Sequence, residues 1–427
     1  MNKRNILILS IIVIVLSVIF LFLYTDKKQL PSSLSFQEEL DPIDFLHPGI
    51  TEYLNFIEAQ LDSTHNVGAA LTIVNKDKVM LIRTFGVKKA GTHDSVDLHT
   101  VFRLASVSKG FTGVLACILE KDGTLSLNDN ITFFLPDFRL KDSVNTCDLN
   151  IEHVLSHTSG LIPHAFDNLI EEDLPLPIIL QNLSEVNISA PPGRLYGYQN
   201  VVFSLIDTIF SLQTGIDYND LIEKRIFKPL RMRNASAGPE LFTHKNANFA
   251  YPHARNDSTY YTLPVNLGYY NISPASGINA SISDLSKWLK ALLGGNPELL
   301  DSSLIAKLCV PIIETPLKRK YTRYWDTIDS KYYSLGWRIY FYKGRKIMYH
   351  GGFVRGYRAE IAFCPDVNIG IAFIQNSPNS VASMSVPAFF TTYFHYLDND
   401  TTSTLDHNNL FNGFNWLMED SSDYYNQ

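Results

Sequence analysis

Apolar residues follow three different patterns along the 427-residue chain. Residues 6–24 are almost continuously apolar. Residues 67–85 and 333–376 consist of short β-rich segments separated by turn residues, a pattern that predicts strands. Residues 125–329, which lie between them, combine helical spacing with loops and many prolines. Strands at both ends of a helical middle predict one sheet built from both ends of the chain, with an inserted helical subdomain.

The same patterns give bounds for the main elements. A helix is predicted at residues 50–61 and a closing helix at residues 387–397. The predicted strands are Val67–Val74, Val79–Phe85, Tyr333–Tyr342, Arg345–His350, Tyr357–Cys364 and Ile369–Asn376.

The chain divides into four regions on this basis. We predict an N-terminal membrane anchor at 1–28, a linker at 29–49, a folded domain at 50–397 and a polar tail at 398–427. Within the folded domain, the sheet subdomain comprises about 50–105 and 330–397, and the helical subdomain about 106–329. A cleft between two such subdomains is the natural place for a binding site.

The N-terminal apolar run has the length of a membrane-spanning helix. Only Ser10 and Ser17 interrupt residues 6–24, and about 20 apolar residues suffice to cross a bilayer. A cleaved signal peptide would have a shorter apolar core and a small-residue cleavage site, which this run lacks. We therefore predict an uncleaved single-pass anchor. Positive charges flank the run on both sides, so they give little information about its orientation in the membrane. An N-terminal segment of this kind usually places the following domain on the extracytoplasmic (periplasmic) side.

Composition excludes several other classes of protein. The chain is 45% hydrophobic and 19% charged, which is typical of a folded globular protein. Its net charge is −7, and the absence of a basic block beyond the N-terminus argues against nucleic-acid binding. His153 and His157 have metal-like spacing, but no Glu follows the first His as in zinc proteases. Packing of a helix is the preferred interpretation of this pair, and no metal site is predicted.

A serine and a lysine lie three residues apart where an apolar helical run begins. Ser106 and Lys109 share one face near the start of this helix, which residues 111–119 continue at helical spacing. A serine hydroxyl is a poor nucleophile until a neighbouring group accepts its proton. Taken alone, the pair is better explained as a serine helix cap and a solvated lysine, and only the rest of the chain can change that interpretation.

Two other short motifs offer partners for Ser106. Tyr198 and Asn200 stand two apart just before an apolar helical run, so both side chains can face a cleft. Tyr198 can relay a proton if a nearby cation such as Lys109 lowers its pKa. Later, a predicted strand ends at His350 and two glycines follow, which allows the backbone to approach a ligand closely. Read alone, the first motif is better explained as a turn that precedes a helix, and the second as a hairpin bulge.

In this order, S-x-x-K, Y-x-N and H-G-G resemble the motifs of the serine β-lactamase and penicillin-binding hydrolase family. The nearest branch is that of class C β-lactamases, DD-peptidases and related esterases, and the resemblance extends over about residues 50–395. It implies an α/β (α+β) fold of the β-lactamase/transpeptidase type. Such a fold has an antiparallel sheet flanked by helices and a helical subdomain beside it. No metal or organic cofactor is implied.

The resemblance also implies roles for individual residues. Ser106 would be the acylated nucleophile, Lys109 would assist its deprotonation, and Tyr198 would act as general acid/base toward the leaving group. The backbone amides of Ser106 and Phe353 would form an oxyanion hole. The implied substrate-binding positions are Asn200, His350, Gly351, Gly352 and Phe353.

One departure from the family pattern bears on the substrate. The third motif is usually Lys-Thr-Gly or His-Thr-Gly, and here it is His350-Gly351-Gly352. The missing hydroxyl and the missing permanent charge disfavour penicillins, whose carboxylate lies beside the scissile amide, unless Arg355 or Arg358 replaces them. The sequence therefore predicts an esterase or a DD-peptidase-like hydrolase of an ester or peptide-like bond. A β-lactamase and a non-catalytic cleft protein are the alternatives.

Overall fold

The computed structural model describes residues 47–399, apart from 245–246, 257–258, 317–321, 323 and 326. The predicted anchor at 6–24 and the polar tail beyond Asn399 lie outside the described residues. Within the described ranges, no helix is both long enough and apolar enough to cross a bilayer.

One antiparallel sheet forms the centre of the fold. Its strand order is β2-β1-β13-β12-β11-β10-β9-β8, so the first strand of the domain pairs with the last. The strands are β1 Gly68–Val74, β2 Val79–Gly86, β3 Val101–Arg103, β4 Ser236–Ala237, β5 His253–Asn256, β6 Thr259–Thr262, β7 Ile278–Ser281, β8 Ile313–Glu314, β9 Ser330–Tyr333, β10 Arg338–Tyr342, β11 Arg345–Val354, β12 Tyr357–Cys364 and β13 Ile369–Gln375. Strands β3, β7 and β4 form a second, smaller sheet.

Helices cover both faces of the large sheet and fill the middle of the chain. They are α1 Pro48–Ser63, α2 Ser108–Lys121, α3 Ile131–Phe134, α4 Ser143–Asp148, α5 Ile151–Leu155, α6 Asp167–Glu171, α7 Leu176–Gln181, α8 Asn200–Phe203, α9 Leu205–Thr214, α10 Tyr218–Ile222, α11 Ser273–Ser276, α12 Ile282–Lys290, α13 Ser302–Leu308 and α14 Val381–Asp398. A 3₁₀ turn at Ala105–Val107 joins β3 to α2.

Alternation along the strands divides the core into two layers. On one face, side chains such as Leu71 and Phe373 pack with α1 and α14. On the other face, Ala70 and Ile374 pack with α2 and α12. Since neighbouring side chains of a strand point to opposite faces, burial on both sides explains why these strands are almost entirely apolar.

The predicted sheet of both chain ends is confirmed, but three predicted bounds were wrong. The segment predicted as one strand, 333–342, is two strands, because the chain turns at residues 334–337. Strand β11 does not end at His350; it continues through both glycines, which pair with Glu360 and Ala359 of β12. The closing helix begins at Val381, not at 387. Pro387 was expected to start the helix but lies inside it, because the residues before the proline are buried in the core and hold the first turns in place.

Helix α2 lies in direct backbone contact with the turn between β9 and β10. A Cβ at Gly113 would lie 2.0 Å from the carbonyl oxygen of Leu335, and a Cβ at Gly110 would lie 2.6 Å from Cζ2 of Trp337. From the other side, a Cβ at Gly336, whose φ is +76°, would lie 2.1 Å from the carbonyl oxygen of Lys109. Glycines on both surfaces therefore let the helix that carries Lys109 dock against the edge of the sheet.

Replacing Gly113 by alanine is expected to destabilise the protein. Alanine in a helix interior is normally more favourable than glycine by about 1 kcal/mol. At this site a methyl group would collide with rigid backbone, and overpacking of this kind typically costs roughly 1–3 kcal/mol. Urea unfolding of Gly113→Ala should therefore show a lower unfolding free energy than that of the wild type.

A glycine in open space provides the comparison. A Cβ at Gly91 meets no atom within 4 Å, so Gly91→Ala measures only the strain of its left-handed φ of +77°. An unfolding free energy of Gly113→Ala equal to or above that of the wild type would contradict the close approach of α2 to the turn.

Candidate active site

Ser106 lies in the 3₁₀ turn that precedes α2, at the edge of the central sheet. The preceding residue, Ala105, is buried and has a φ of +47°, a left-handed conformation that non-glycine residues rarely adopt. Strand β11 passes directly against this turn, since a Cβ at Gly352 would lie 2.1 Å from Leu104 O and 3.2 Å from Ser106 N. The second glycine of the third motif is therefore required for the backbone approach that brings β11 to Ser106.

Lys109 is fully buried directly beneath Ser106. Its Nζ atom lies 2.7 Å from Asn200 Oδ1, 3.0 Å from the carbonyl oxygen of Ala275 and 3.4 Å from Ser106 Oγ. Burial lowers the pKa of this amine well below its usual value. The positive charge of Arg338 lowers the pKa further, and the negative charge of Asp167 opposes both effects.

The three contacts of Lys109 Nζ are all with oxygen atoms, namely Asn200 Oδ1, the carbonyl oxygen of Ala275 and Ser106 Oγ. A neutral amine has two N–H donors and one lone pair. In the neutral form, Nζ donates to Asn200 Oδ1 and to the carbonyl oxygen of Ala275, and its lone pair can accept the hydroxyl proton of Ser106. The site can therefore hold a base in contact with the serine.

Tyr198 contacts the same serine from the other side. Its hydroxyl donates to Ser106 Oγ at 2.9 Å, and its ring centroid lies 4.7 Å from Lys109 Nζ. The expectation that a neighbouring cation lowers the pKa of Tyr198 is not met. Burial raises this pKa, and the opposing effects of Arg338 and of the Ser106 hydrogen bond are smaller. Tyr198 is thus a neutral phenol that donates a proton to a hydrogen bond.

Asn200 connects Lys109 to an acidic residue that the sequence did not reveal. The Oδ1 atom of Asn200 accepts from Lys109, and its Nδ2 atom donates to Asp167 Oδ2 at 2.8 Å. The same carboxylate oxygen lies 2.7 Å from Nδ1 of His164, an exposed side chain at the rim. Asp167 stands in a segment without a recognisable motif, so only the folded structure shows its place beside the site.

The third motif carries no positive charge. His350 is buried, with Nε2 3.0 Å from the hydroxyl of Tyr333 and Nδ1 2.9 Å from the carbonyl oxygen of Gly351. Burial, with the charges of Arg338 and Lys109, lowers the pKa of His350 well below its usual value, so the imidazole is neutral at neutral pH.

Gly351 leaves room for a buried carboxyl group where the family usually has threonine. A Cβ at Gly351 would lie 2.6 Å from Glu360 Oε2 and 2.9 Å from the hydroxyl of Tyr349. These two groups are hydrogen-bonded to each other at 2.7 Å, and Glu360 Oε1 accepts from Arg358 at 2.9 Å. A larger side chain at position 351 would therefore collide with the Tyr349–Glu360 pair.

A permanent charge reaches the site from a residue that sequence reasoning missed. The guanidinium carbon of Arg338 lies 5.5 Å from the ring centroid of Tyr198 and 5.8 Å from that of Tyr333. Its Nη1 atom donates to the hydroxyl of Tyr196 at 3.3 Å. Of the two arginines considered from sequence, Arg358 is held by Glu360 and by Ser383 Oγ, which accepts from it at 2.6 Å.

The two histidines with metal-like spacing have structural roles. His153 completes a capping box with Asn150 at the start of α5. The ring of His157 packs against that of Tyr198 at 4.3 Å, and its Nδ1 accepts from the backbone amide of Gln199 at 3.2 Å. Among the described residues, no group of three His, Cys, Asp or Glu side chains is arranged to hold a metal ion.

The remaining predicted position lies on β11, the strand that passes against the turn of Ser106. Phe353 follows Gly352 in β11, and its side chain is 44% exposed. The structure thus brings Ser106, Lys109, Tyr198 and Asn200 into one hydrogen-bonded cluster, with the third motif adjoining it. A serine whose oxygen contacts both a buried lysine and a tyrosine is an arrangement typical of serine hydrolases.

Comparison with known proteins identifies the family. The sequence profile of the Beta-lactamase family matches residues 55–390, and the chain belongs to this family. The resemblance seen in the three motifs is therefore confirmed, and so is the prediction of a serine hydrolase.

Individual relatives agree with this assignment. The chain is 26% identical over 347 residues to an unguisins hydrolase of Aspergillus violaceofuscus; the match covers 73% of this chain but only 58% of that protein. Among solved structures, the octameric penicillin-binding protein homologue from Pyrococcus abyssi has a TM-score of 0.70 at 22% identity, covering 81% of this chain and 77% of that one. D-amino acid amidase from Ochrobactrum anthropi SV3 has a TM-score of 0.65 at 18% identity, covering 80% and 99%. These two structural likenesses show the fold.

The lowered pKa of Lys109 predicts a pH-dependent contribution to stability. The folded chain binds fewer protons at this amine than the unfolded chain does, in which its pKa is near 10.5. The unfolding free energy of the wild type should therefore rise, relative to that of Lys109→Met, as the pH increases from neutral toward about 10. Each pKa unit by which the folded and unfolded states differ changes the unfolding free energy by about 1.4 kcal/mol over this pH range.

Urea unfolding of both proteins across this pH range provides the measurement. Lys121→Met, which removes an exposed lysine from the end of the same helix, is the control. A difference between wild type and Lys109→Met that does not change with pH would mean that Lys109 is an ordinary ammonium in the folded protein.

Proposed function

We propose that the protein hydrolyses an ester or a peptide-like amide bond through an acyl-enzyme on Ser106, in the manner of an esterase or DD-peptidase. The observation that supports this most strongly is the contact of both Lys109 Nζ and Tyr198 OH with Ser106 Oγ. The serine thus has a proton acceptor on one side and a proton donor on the other. Each is needed at a different moment of an acyl transfer.

In the proposed reaction, the lone pair of Lys109 accepts the hydroxyl proton of Ser106 as Oγ bonds to the substrate carbonyl carbon. The oxyanion lies against the backbone amides of Ser106 and Phe353. Tyr198 gives its proton to the leaving alcohol or amine as the scissile bond breaks and recovers one from Lys109. Asn200 holds Lys109 and contacts the substrate amide. Water then attacks the acyl-enzyme and releases the acid, which restores Ser106.

The third motif favours substrates without a carboxylate beside the scissile bond. His350 is neutral, Gly351 provides no hydroxyl, and the Glu360 carboxyl occupies the space next to that glycine. Each feature removes an attraction for a substrate anion. These features support an esterase, or a peptidase whose substrate has no carboxylate beside the scissile bond, over an efficient β-lactamase.

One observation favours a β-lactamase as the second candidate. Arg338 provides a permanent positive charge beside Tyr198, at a place the sequence did not indicate. A guanidinium binds carboxylates well because its donors match the two carboxylate oxygens. A substrate carboxylate that reached Arg338 would not need the missing threonine and lysine of the third motif.

Covalent labelling tests the proposed function. A fluorophosphonate probe should add once to the wild-type domain, from about residue 47 onward, and not to Ser106→Ala, because only an activated serine attacks it. Intact mass measures the adduct. Pre-incubation with benzylpenicillin distinguishes the two candidates: unchanged or lastingly blocked labelling supports the esterase or peptidase, and transient protection supports the β-lactamase. A wild type that forms no adduct, although folded, would favour a non-catalytic cleft protein.

We also propose that the hydrolase is held at a membrane by residues 6–24, with its catalytic domain on the extracytoplasmic side. The length and apolar character of this run support the proposal. The full chain, expressed in a bacterium, should sediment with membranes and require detergent for release, whereas a chain without residues 1–28 should not. Added protease should degrade the domain in spheroplasts if it faces outward. Recovery of the full chain in the soluble fraction would contradict the anchor.

A further inference from the structure

We propose that Asp167 is a positioning residue of the active site. Its carboxylate fixes the orientation of the Asn200 side-chain amide, so that Oδ1 of this amide accepts the hydrogen bond of Lys109 Nζ. The inference rests on the proposed function, since it concerns the same serine and lysine. Neither Asp167 nor His164 belongs to the three motifs, and both are placed beside the site by the segment between α5 and α6.

The two ends of the Asn200 amide are chemically different, and only one orientation suits its neighbours. Lys109 Nζ donates to Oδ1 at 2.7 Å, while Nδ2 donates to Asp167 Oδ2 at 2.8 Å. A carboxylate accepts hydrogen bonds and cannot donate them. If the amide flipped, its oxygen would face the carboxylate and its NH₂ would face the amine, so both bonds would be lost. Asp167 therefore keeps Oδ1 directed at Lys109.

The backbone around Asp167 is arranged to hold the carboxylate in place. His164 and Phe166 have φ values of +62° and +63°, so the segment turns sharply before α6 begins at Asp167. The backbone amide of His164 donates to the carbonyl oxygen of Tyr198 at 2.8 Å. The ring nitrogen Nδ1 of His164 lies 2.7 Å from Asp167 Oδ2. One short segment is thus tied both to the backbone of the Tyr-x-Asn motif and to its asparagine side chain.

Asp167 also carries the negative charge that opposes the burial of the Lys109 amine. Its charge favours the ammonium form, whereas burial and Arg338 favour the neutral form. The titratable and charged groups around the Lys109–Asp167 pair are His157, His164, Tyr198, Tyr269, Arg338 and His350. Removing the charge of Asp167 should therefore lower the pKa of Lys109 and make the neutral amine available at lower pH.

The pH profile of fluorophosphonate labelling separates this role from a merely structural one. In Asp167→Asn, the second-order rate at the optimum should fall about tenfold to a hundredfold, the size expected for one charge-assisted hydrogen bond. The acidic limb of the profile should move to lower pH. Asp167→Ser, which also removes the charge and suits the start of a helix, should shift the limb in the same direction. Thermal unfolding shows that each variant is folded.

A double-mutant cycle tests whether Asp167 acts through Asn200. In the Asn200→Ala background, Asp167→Asn should cost less than about threefold in rate, because the amide it orients is gone. Asp142→Asn is the matched control: Asp142 also accepts from an asparagine side chain, Asn145 Nδ2 at 2.6 Å, but lies at the start of α4. This variant should keep the wild-type profile.

Two results would overturn the proposal. The first is a folded Asp167→Asn protein whose labelling rate and acidic limb equal those of the wild type. The second is a loss of rate on Asp167→Asn that is the same whether position 200 is Asn or Ala. Failure of the proposed function would look different, because the wild type itself would then not be labelled at Ser106.

Discussion

The burial of one amine is the constraint on which the rest of the site depends. Lys109 has no exposed surface, so every polar contact of its Nζ must come from the protein. Asn200 and the carbonyl oxygen of Ala275 supply two acceptors, which requires that α8 and α11 meet at the start of α2. The same burial keeps water from the base and lowers its affinity for protons, so that an otherwise cationic side chain can act on a serine near neutral pH.

The charges around this amine act in opposite directions. Burial and Arg338 favour the neutral form, and Asp167 favours the ammonium. A base works best when its pKa lies near the working pH, and the negative charge of Asp167 limits how far burial lowers the pKa of Lys109. The carboxylate of Asp167 and the guanidinium of Arg338 therefore limit each other's effect, while His350 adds no charge because its own burial keeps it neutral.

The sequence predicted the residues whose signal is local. Ser106 and Lys109 are one helical turn apart, Tyr198 and Asn200 are two residues apart, and the strands at both ends show their apolar pattern directly. Arg338 and Asp167 could not be found in this way, because they are the first residues of β10 and α6 and only the folded chain brings them close to Lys109. The predicted end of β11 at His350 was wrong for a related reason. Glycine normally weakens a strand, and only the contact with Leu104 shows why Gly352 belongs inside one.

The pairing of β1 with β13 has a consequence for how the protein is made. Ser106 and its helix are synthesised early, but the strands that complete the site, β11 to β13, leave the ribosome only after about residue 375, since the chain is made from its N-terminus. Until then β1 is paired with β2 but not with β13, and the sheet that holds β11 against the turn of Ser106 is incomplete. A nascent or truncated chain would therefore contain the complete Ser-x-x-Lys and Tyr-x-Asn motifs and still have no working cleft. In this fold, the site can therefore be complete only after β13 has been synthesised.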